Sequence, residues 1–179
     1  MSNKCSSPKT SKIEIVDNTI YFYPYNNPSK ACCFDYNEKL LDELQGKTWR
    51  QHPHGCIYRT ASSKAIYAHW LVIGKPPKGM YTDHIDGDPS NNRKNNLRFA
   101  TNRENQGNSG LRIDNSSGFK GVVFHKRIKK WAASIRCNKK RKHLGYFDAP
   151  EEAARAYDRE AEKCFGCYAR TNEKLKKIL

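Results

Sequence analysis

Asp83 and His84 are adjacent, and two asparagines, Asn96 and Asn105, lie 12 and 21 residues beyond that histidine. A neutral imidazole with a pKa near ~6.5 can take a proton from water at pH 7. A carboxylate and an amide oxygen together make a hard-oxygen donor set, suited to Mg²⁺ (or Mn²⁺) and not to Zn²⁺. Asn96 has the chemistry either to hold the tautomer of a histidine or to brace the loop through its amide. A base beside a site for a hard cation fits hydrolysis of a phosphodiester, where water loses a proton and the departing oxygen develops charge.

These side chains need a scaffold to converge. TDHI (82–85) reads as a strand, DGDPSNN (86–92) as a turn-rich loop and LRFA (97–100) as a second short strand. Thr101-Asn102-Arg103-Glu104 fits a capping box, which starts a helix at Asn102 and puts Asn105 in its first turn. Neighbours on a regular strand face opposite sides, so the strand must end or become irregular at Asp83-His84 if both are to serve one place.

Upstream, KIEIV (12–16) and TIYFYPY (19–25) read as strands joined by an Asp-Asn turn. NEKLLDELQ (37–45) has helical spacing and stops at Gly46. CIYRT (56–60) and AIYAHWLVI (65–73) read as strands, and GKPPKG (74–79) breaks the chain. Residues 1–11 are Ser- and Lys-rich and are expected to be disordered. Downstream of a Gly/Ser/Asn linker, FKGVVFHK, KWAASIRC and KHLGYF read as three strands within 119–147, joined by basic turns. Asp148 caps the next helix, with Pro150 in its first turn; the helix ends at Gly166.

Charge says what the chain meets. The 179 residues carry a net +15, and it is uneven: +2 over 1–60, +3 over 61–110 and +10 over 111–179. Within 120–142 there are ten Lys or Arg and no acid. Solubility needs no such clustering, so an anionic partner, most simply nucleic acid, is expected. No apolar run approaches the ~18–20 residues of a membrane span, and the first residues lack a signal-peptide core. The seven cysteines cannot all pair within one chain, and the single CxxC (Cys164, Cys167) lacks a second pair for a zinc site.

AHWLVI, DHIDGDPSNNRKNNLRFAT and REN, within 65–108, resemble the HNH endonuclease family (the ββα-metal fold), in the branch that includes homing endonucleases of phages. The resemblance implies His84 as general base, Asn96 as a positioner, and Asp83 and Asn105 as ligands of Mg²⁺ or Mn²⁺. The final position is Asn in place of the eponymous His. His69 matches a recurrent histidine of that group, although packing beside Trp70 explains it as well. Arg93 and Arg98 are either phosphate clamps or solvated side chains.

SGFKGVVFHK, KWAASIRC and HLGYFDAPEEAARAYD, within 118–166, resemble the plant ethylene-response-factor DNA-binding domain (the Apetala-two type). In that family a three-stranded sheet packs on one helix and enters the major groove. The positions matched to its contacts are Lys120, Lys126, Arg127, Lys130, Trp131, Arg136, Lys140, Arg141 and Lys142, with Trp131 equally readable as a packing residue. Val123, His125, Ser134 and His143 depart from the plant pattern, so the scaffold carries over and the plant target sequence does not.

The expectation is therefore an α+β chain. Strands and an HNH unit occupy 12–108 (motif core 65–108), a linker 109–117, the DNA-binding domain 118–168 and a basic tail 169–179. The implied activity is metal-dependent cleavage of double-stranded DNA in the cytoplasm of a bacterial or phage-infected cell, by a monomer or weak dimer that nicks one strand per site. The competing readings are a DNA-binding regulator with an inactive nuclease fold and, ranked lower, an RNA-binding protein. The latter lacks paired aromatics on its sheet.

Overall fold

The computed structural model describes residues 11–178, so the expected disorder at 1–11 lies, Ser11 apart, outside the described residues. The fold is α+β. Within the described residues one compact unit runs to Lys78 and takes in Thr82–Phe99; the other holds Gly79–Tyr81 and the chain from Ala100 on.

In the first unit β1 (Lys12–Val16), β2 (Thr19–Tyr23) and β3 (Cys32–Asp35) form an antiparallel meander. Asp17 and Asn18 make its first turn, both at positive φ (46° and 58°), a conformation short polar side chains tolerate. Asn37 caps α1 (Glu38–Leu44) by accepting the Leu40 N–H. A second antiparallel sheet follows: β4 (Arg50–Gln51), β5 (Ile57–Ala61) and β6 (Lys64–Tyr67). Ile20, Phe22, Phe34, Leu44, Trp49, Ile57 and Ala68 bury together as the core.

The strand expected over 65–73 is a correction. β6 ends at Tyr67, and α2 (His69–Ile73) begins two residues later. The run is apolar throughout, so its periodicity does not separate strand from helix. The core decides: Ala68 is fully buried with its N–H on the Ile57 carbonyl, and Leu71 and Val72, at helical spacing from it, pack on the same cluster.

β7 (Met80–His84) pairs with β8 (Leu97–Thr101), and a 3₁₀ turn at Lys94–Asn96 leads into β8. Thr101 then caps α3 (Asn102–Gly107) with both halves of the expected capping box in place.

In the second unit β9 (Val122–His125), β10 (Lys130–Cys137) and β11 (Lys140–Phe147) form an antiparallel sheet with β10 central. α4 (Pro150–Phe165) lies on it, with Ala153, Ala154, Tyr157 and Ala161 buried against Val122, Ala133 and Ile135. Asp148 does not cap α4; the N-cap is Ala149 with no side-chain bond, and Asp148 pairs with Lys130 at 3.1 Å. α3 also packs here: Arg103 donates to the Cys164 carbonyl at 2.6 Å and the Arg170 N–H to that of Gly107 at 3.1 Å. The stretch read as a basic tail carries α5 (Asn172–Ile178), anchored by buried Leu175 and by Asn172, which donates its N–H and Nδ2 to Asp158 at 2.8 Å each. No described helix is long and apolar enough to cross a membrane.

Candidate nuclease site and nucleic-acid interface

β7 stops at His84, where the Gly87 N–H returns to the His84 carbonyl at 2.8 Å. Both neighbours are buried at the strand end: Asp83 and His84 are 4 % and 8 % exposed. The Asp83 carboxylate accepts from Arg98 Nε at 2.8 Å, an ion pair whose side chains are 4 % and 17 % exposed. Arg98, expected as a phosphate clamp, is thus committed to the candidate ligand across the β7–β8 pair. An ionised carboxylate is a hard-oxygen donor with about four lone-pair sites. Among the described residues no group of three or more His, Cys, Asp and Glu is placed to hold a metal ion. The donor set on β7 is a lone carboxylate, which fits a cation that keeps most of its ligands as water.

Asn96 braces the loop. Its Oδ1 accepts the Asp86 N–H at 3.0 Å, and its Nδ2 donates to Asp86 Oδ1 and the Asn91 carbonyl at 2.9 and 2.8 Å. It therefore fixes the turn after His84 without gripping the imidazole. That contact belongs to Asn92, which the sequence reading missed: its Oδ1 lies 3.2 Å from His84 Nε2. Asn92 is 1 % exposed, and such depth at an asparagine is the signal of a structural partner, invisible in a loop of four asparagines. Arg93, expected as a phosphate clamp or a solvated side chain, places its guanidinium 3.4 Å from Thr19 Oγ1 and 4.0 Å from Asp35, on the N-terminal sheet. Asn105 is exposed on α3, in the second unit.

His69 sits at the start of α2 and not in a strand. Its ring stacks on Tyr67 (5.3 Å between centroids, 16°) and meets the His84 ring edge-on (5.6 Å, 89°). Its Nδ1 is buried with no hydrogen-bond partner. Burial, with His84 nearby, pushes its pKa down to about 4. The unfolded chain then takes up a proton near pH 6.5 that the folded chain refuses until about pH 4. Stability is full above pH 6.5 and falls as pH drops toward 4, by about 2–3 kcal/mol from this group. The variant His69→Phe should lose that share of the acid dependence, read as melting temperature at pH 7 against pH 4.5. An unchanged difference between those melts would contradict the assignment.

In the second unit the strand register sorts the basic residues by face. Arg136 pairs with Arg141, Ser134 with His143, Ala132 with Tyr146 and with Val123, and Lys130 with His125. This is the face away from α4. Arg141 donates twice to Ser134 Oγ, at 3.0 and 3.2 Å. Tyr146, 47 % exposed between His125 (5.6 Å) and His143 (4.5 Å), belongs to the same face and was not foreseen. Lys126 and Arg127 occupy the β9–β10 turn, and Lys140 starts β11.

Three expected contacts point elsewhere. The Lys120 ammonium turns inward onto the carbonyls of Gly107, Ser109 and Arg170 (2.8, 2.6 and 3.3 Å), because the chain leaving α3 and the one following α4 both present carbonyls there. Trp131 packs on the helix side, with Val122, Ala133 and Ala153, one residue out of phase with Arg136's face. Lys142 is also on that side and pairs with Glu160 of α4 at 2.7 Å.

A buried histidine at a strand end, followed by a loop, a strand and a capped helix, has the element order of a ββα nuclease-type unit; a sheet laid on one alanine-lined helix follows it. Comparison with known proteins agrees. Residues 68–106 match the HNH endonuclease family and residues 117–167 match the AP2 domain. Protein 3.8 of Escherichia phage T7 is 36 % identical over 102 residues, covering 56 % of this chain and 84 % of that protein. An uncharacterized HNH endonuclease of Acanthamoeba polyphaga mimivirus is 34 % identical over 105 residues, 58 % of this chain and 52 % of the relative. An ethylene-responsive transcription factor-like protein of Arabidopsis thaliana is 34 % identical over 85 residues, 46 % of this chain and 37 % of that protein. No solved structure matches the chain significantly. The chain belongs to the HNH endonuclease family and carries an AP2 domain.

Proposed function

We propose that the protein is a metal-dependent, homing-endonuclease-like DNA endonuclease targeted to double-stranded DNA by its AP2 domain. The observation that carries this reading is the buried Asp83-His84 pair at the end of β7, the carboxylate ion-paired and the imidazole against an amide. His84 takes the proton of a water molecule, whose oxygen attacks phosphorus. Asp83 and, by the family resemblance, Asn105 would hold Mg²⁺ or Mn²⁺. When bound, the ion supplies charge stabilisation at the departing 3′ oxygen. Asn96 keeps the loop after His84 closed through its three bonds. The products are 5′-phosphate and 3′-hydroxyl ends. One site per chain nicks one strand, and a double-strand break needs two chains. The setting is the cytoplasm of a bacterial or phage-infected cell.

The test is supercoiled plasmid incubated with the protein in Mg²⁺, in Mn²⁺ and in EDTA. Nicked circles with either ion and none in EDTA are expected. Plasmid bound but intact under all conditions would leave a DNA-binding regulator instead.

Binding is expected to be steeply salt-dependent, since released counterions drive it. Arg136→Ala should weaken binding evenly across sequences and lower the slope of log K against log salt by about 1. Lys120→Met should leave that slope unchanged, since its ammonium is held by backbone carbonyls. Titration by fluorescence anisotropy at several salt concentrations reads both. Equal slopes for Arg136→Ala and the unsubstituted protein would remove Arg136 from the interface.

A further inference from the structure

We infer that Asn92 is a positioning residue for His84, and that the N-terminal sheet is the device that holds Asn92. The inference rests on the nuclease reading and assigns a task to residues 12–60, for which no motif speaks.

The geometry starts with the amide. Asn92 Nδ2 donates to the Ser90 carbonyl at 3.2 Å, which orients the amide and leaves Oδ1 toward the imidazole. An amide oxygen only accepts, so His84 Nε2 must carry the hydrogen. Nδ1 then bears the basic lone pair. The Asn92 contact thus favours one tautomer and one orientation of the ring. The His69 ring, edge-on at 5.6 Å, closes a second side.

What fixes Asn92 is the backbone of β3. The Cys33 N–H donates to the Ser90 carbonyl and the Asn92 N–H to the Cys33 carbonyl, both at 2.8 Å, in a parallel bridge opposite Asn91. The Lys94 N–H donates to Asp35 Oδ2 at 2.8 Å, and Arg93 reaches Thr19 and Asp35. The loop therefore carries Asn92 at a register set by a strand nearly 60 residues earlier. A loop on its own would not hold a side chain within the fractions of an ångström that proton transfer demands. Three hydrogen bonds to one strand do, and β3 is anchored in the core by its own Cys32 and Phe34, both fully buried.

The test combines kinetics with a direct reading of the ring. In the full-length protein, ¹⁵N NMR should show His84 as the Nε2–H tautomer, and in Asn92→Leu a mixture of the two. Asn92→Leu should lower kcat for plasmid nicking about 10- to 100-fold, with KM for DNA within about twofold. Asp35→Ala removes one stitch at an exposed position and should lower kcat about threefold with KM unchanged, which keeps the test decisive should Asn92→Leu fail to fold. An Nδ1–H tautomer in the unsubstituted protein, or unsubstituted kcat in the folded variants, overturns the inference. Absence of cleavage by the unsubstituted protein would sink the nuclease reading instead, and the tautomer measurement would still decide the role of Asn92.

Discussion

Replacing His84 with glutamine is expected to lower the rate of plasmid nicking by about 10²- to 10⁴-fold, the usual contribution of a positioned base. Glutamine is the better choice than alanine for a physical reason. His84 is 8 % exposed and its Nε2 faces Asn92 Oδ1 at 3.2 Å. Alanine would leave a cavity and strand a buried acceptor, at a cost of about 1–3 kcal/mol. The glutamine amide can still donate to Asn92, yet it accepts no proton at neutral pH. Affinity for DNA should be unchanged, because the basic sheet lies on separate elements. A His84→Gln protein that nicks at the unsubstituted rate would remove His84 from catalysis; one that loses both binding and melting temperature would show that the substitution acted through folding.

The second large effect falls on the AP2 domain. Gly121, at φ +75°, sits where a Cβ would overlap the Tyr157 ring and come within 2.9 Å of the Ser134 carbonyl oxygen. That carbonyl belongs to central strand β10, and Tyr157 is 5 % exposed between α4 and the sheet, so neither can retreat. Gly121→Ala therefore adds a strained φ to a steric clash, for an expected loss of about 3 kcal/mol. In a domain of this size each kcal/mol moves a melting temperature by about 4–8 °C. Calorimetry should show the corresponding transition lowered and DNA binding lost with it. A melt within 2–3 °C of the unsubstituted protein, about half a kcal/mol, would mean the sheet and α4 can separate at little cost.

How far the sequence could be read varies with the range of the interactions. The capping box at Thr101, the Asp17-Asn18 turn and the three strands between 122 and 147 were legible because each depends on neighbours a few residues away. The run 65–73 was misread because an unbroken apolar stretch fits a buried strand and a buried helix equally, and only the core around Ala68 separates them. Asp148 had the right chemistry for a cap, but Lys130, 18 residues earlier, pairs with it.

The candidate site divides in the same way. Asp83, His84, Asn96 and Asn105 could be picked out by residue type and spacing, since a base, a carboxylate and amides at fixed intervals are a property of the chain alone. Which amide meets the imidazole could not: 86–96 holds four asparagines, and Asn92, not Asn96, is carried to His84 by β3. The alternation of ten basic residues likewise says that a charged sheet exists, while register and the seat of α4 select Arg136 and Arg141 for the open face, turn Lys120 and Trp131 inward and put Lys142 on the α4 side. The sequence by itself determined the local elements, the chemical types at the site and the excess charge, because these follow from short-range geometry and composition. The tertiary structure alone decided partners and faces, because those depend on segments that sequence separation hides and that only burial brings within hydrogen-bonding range.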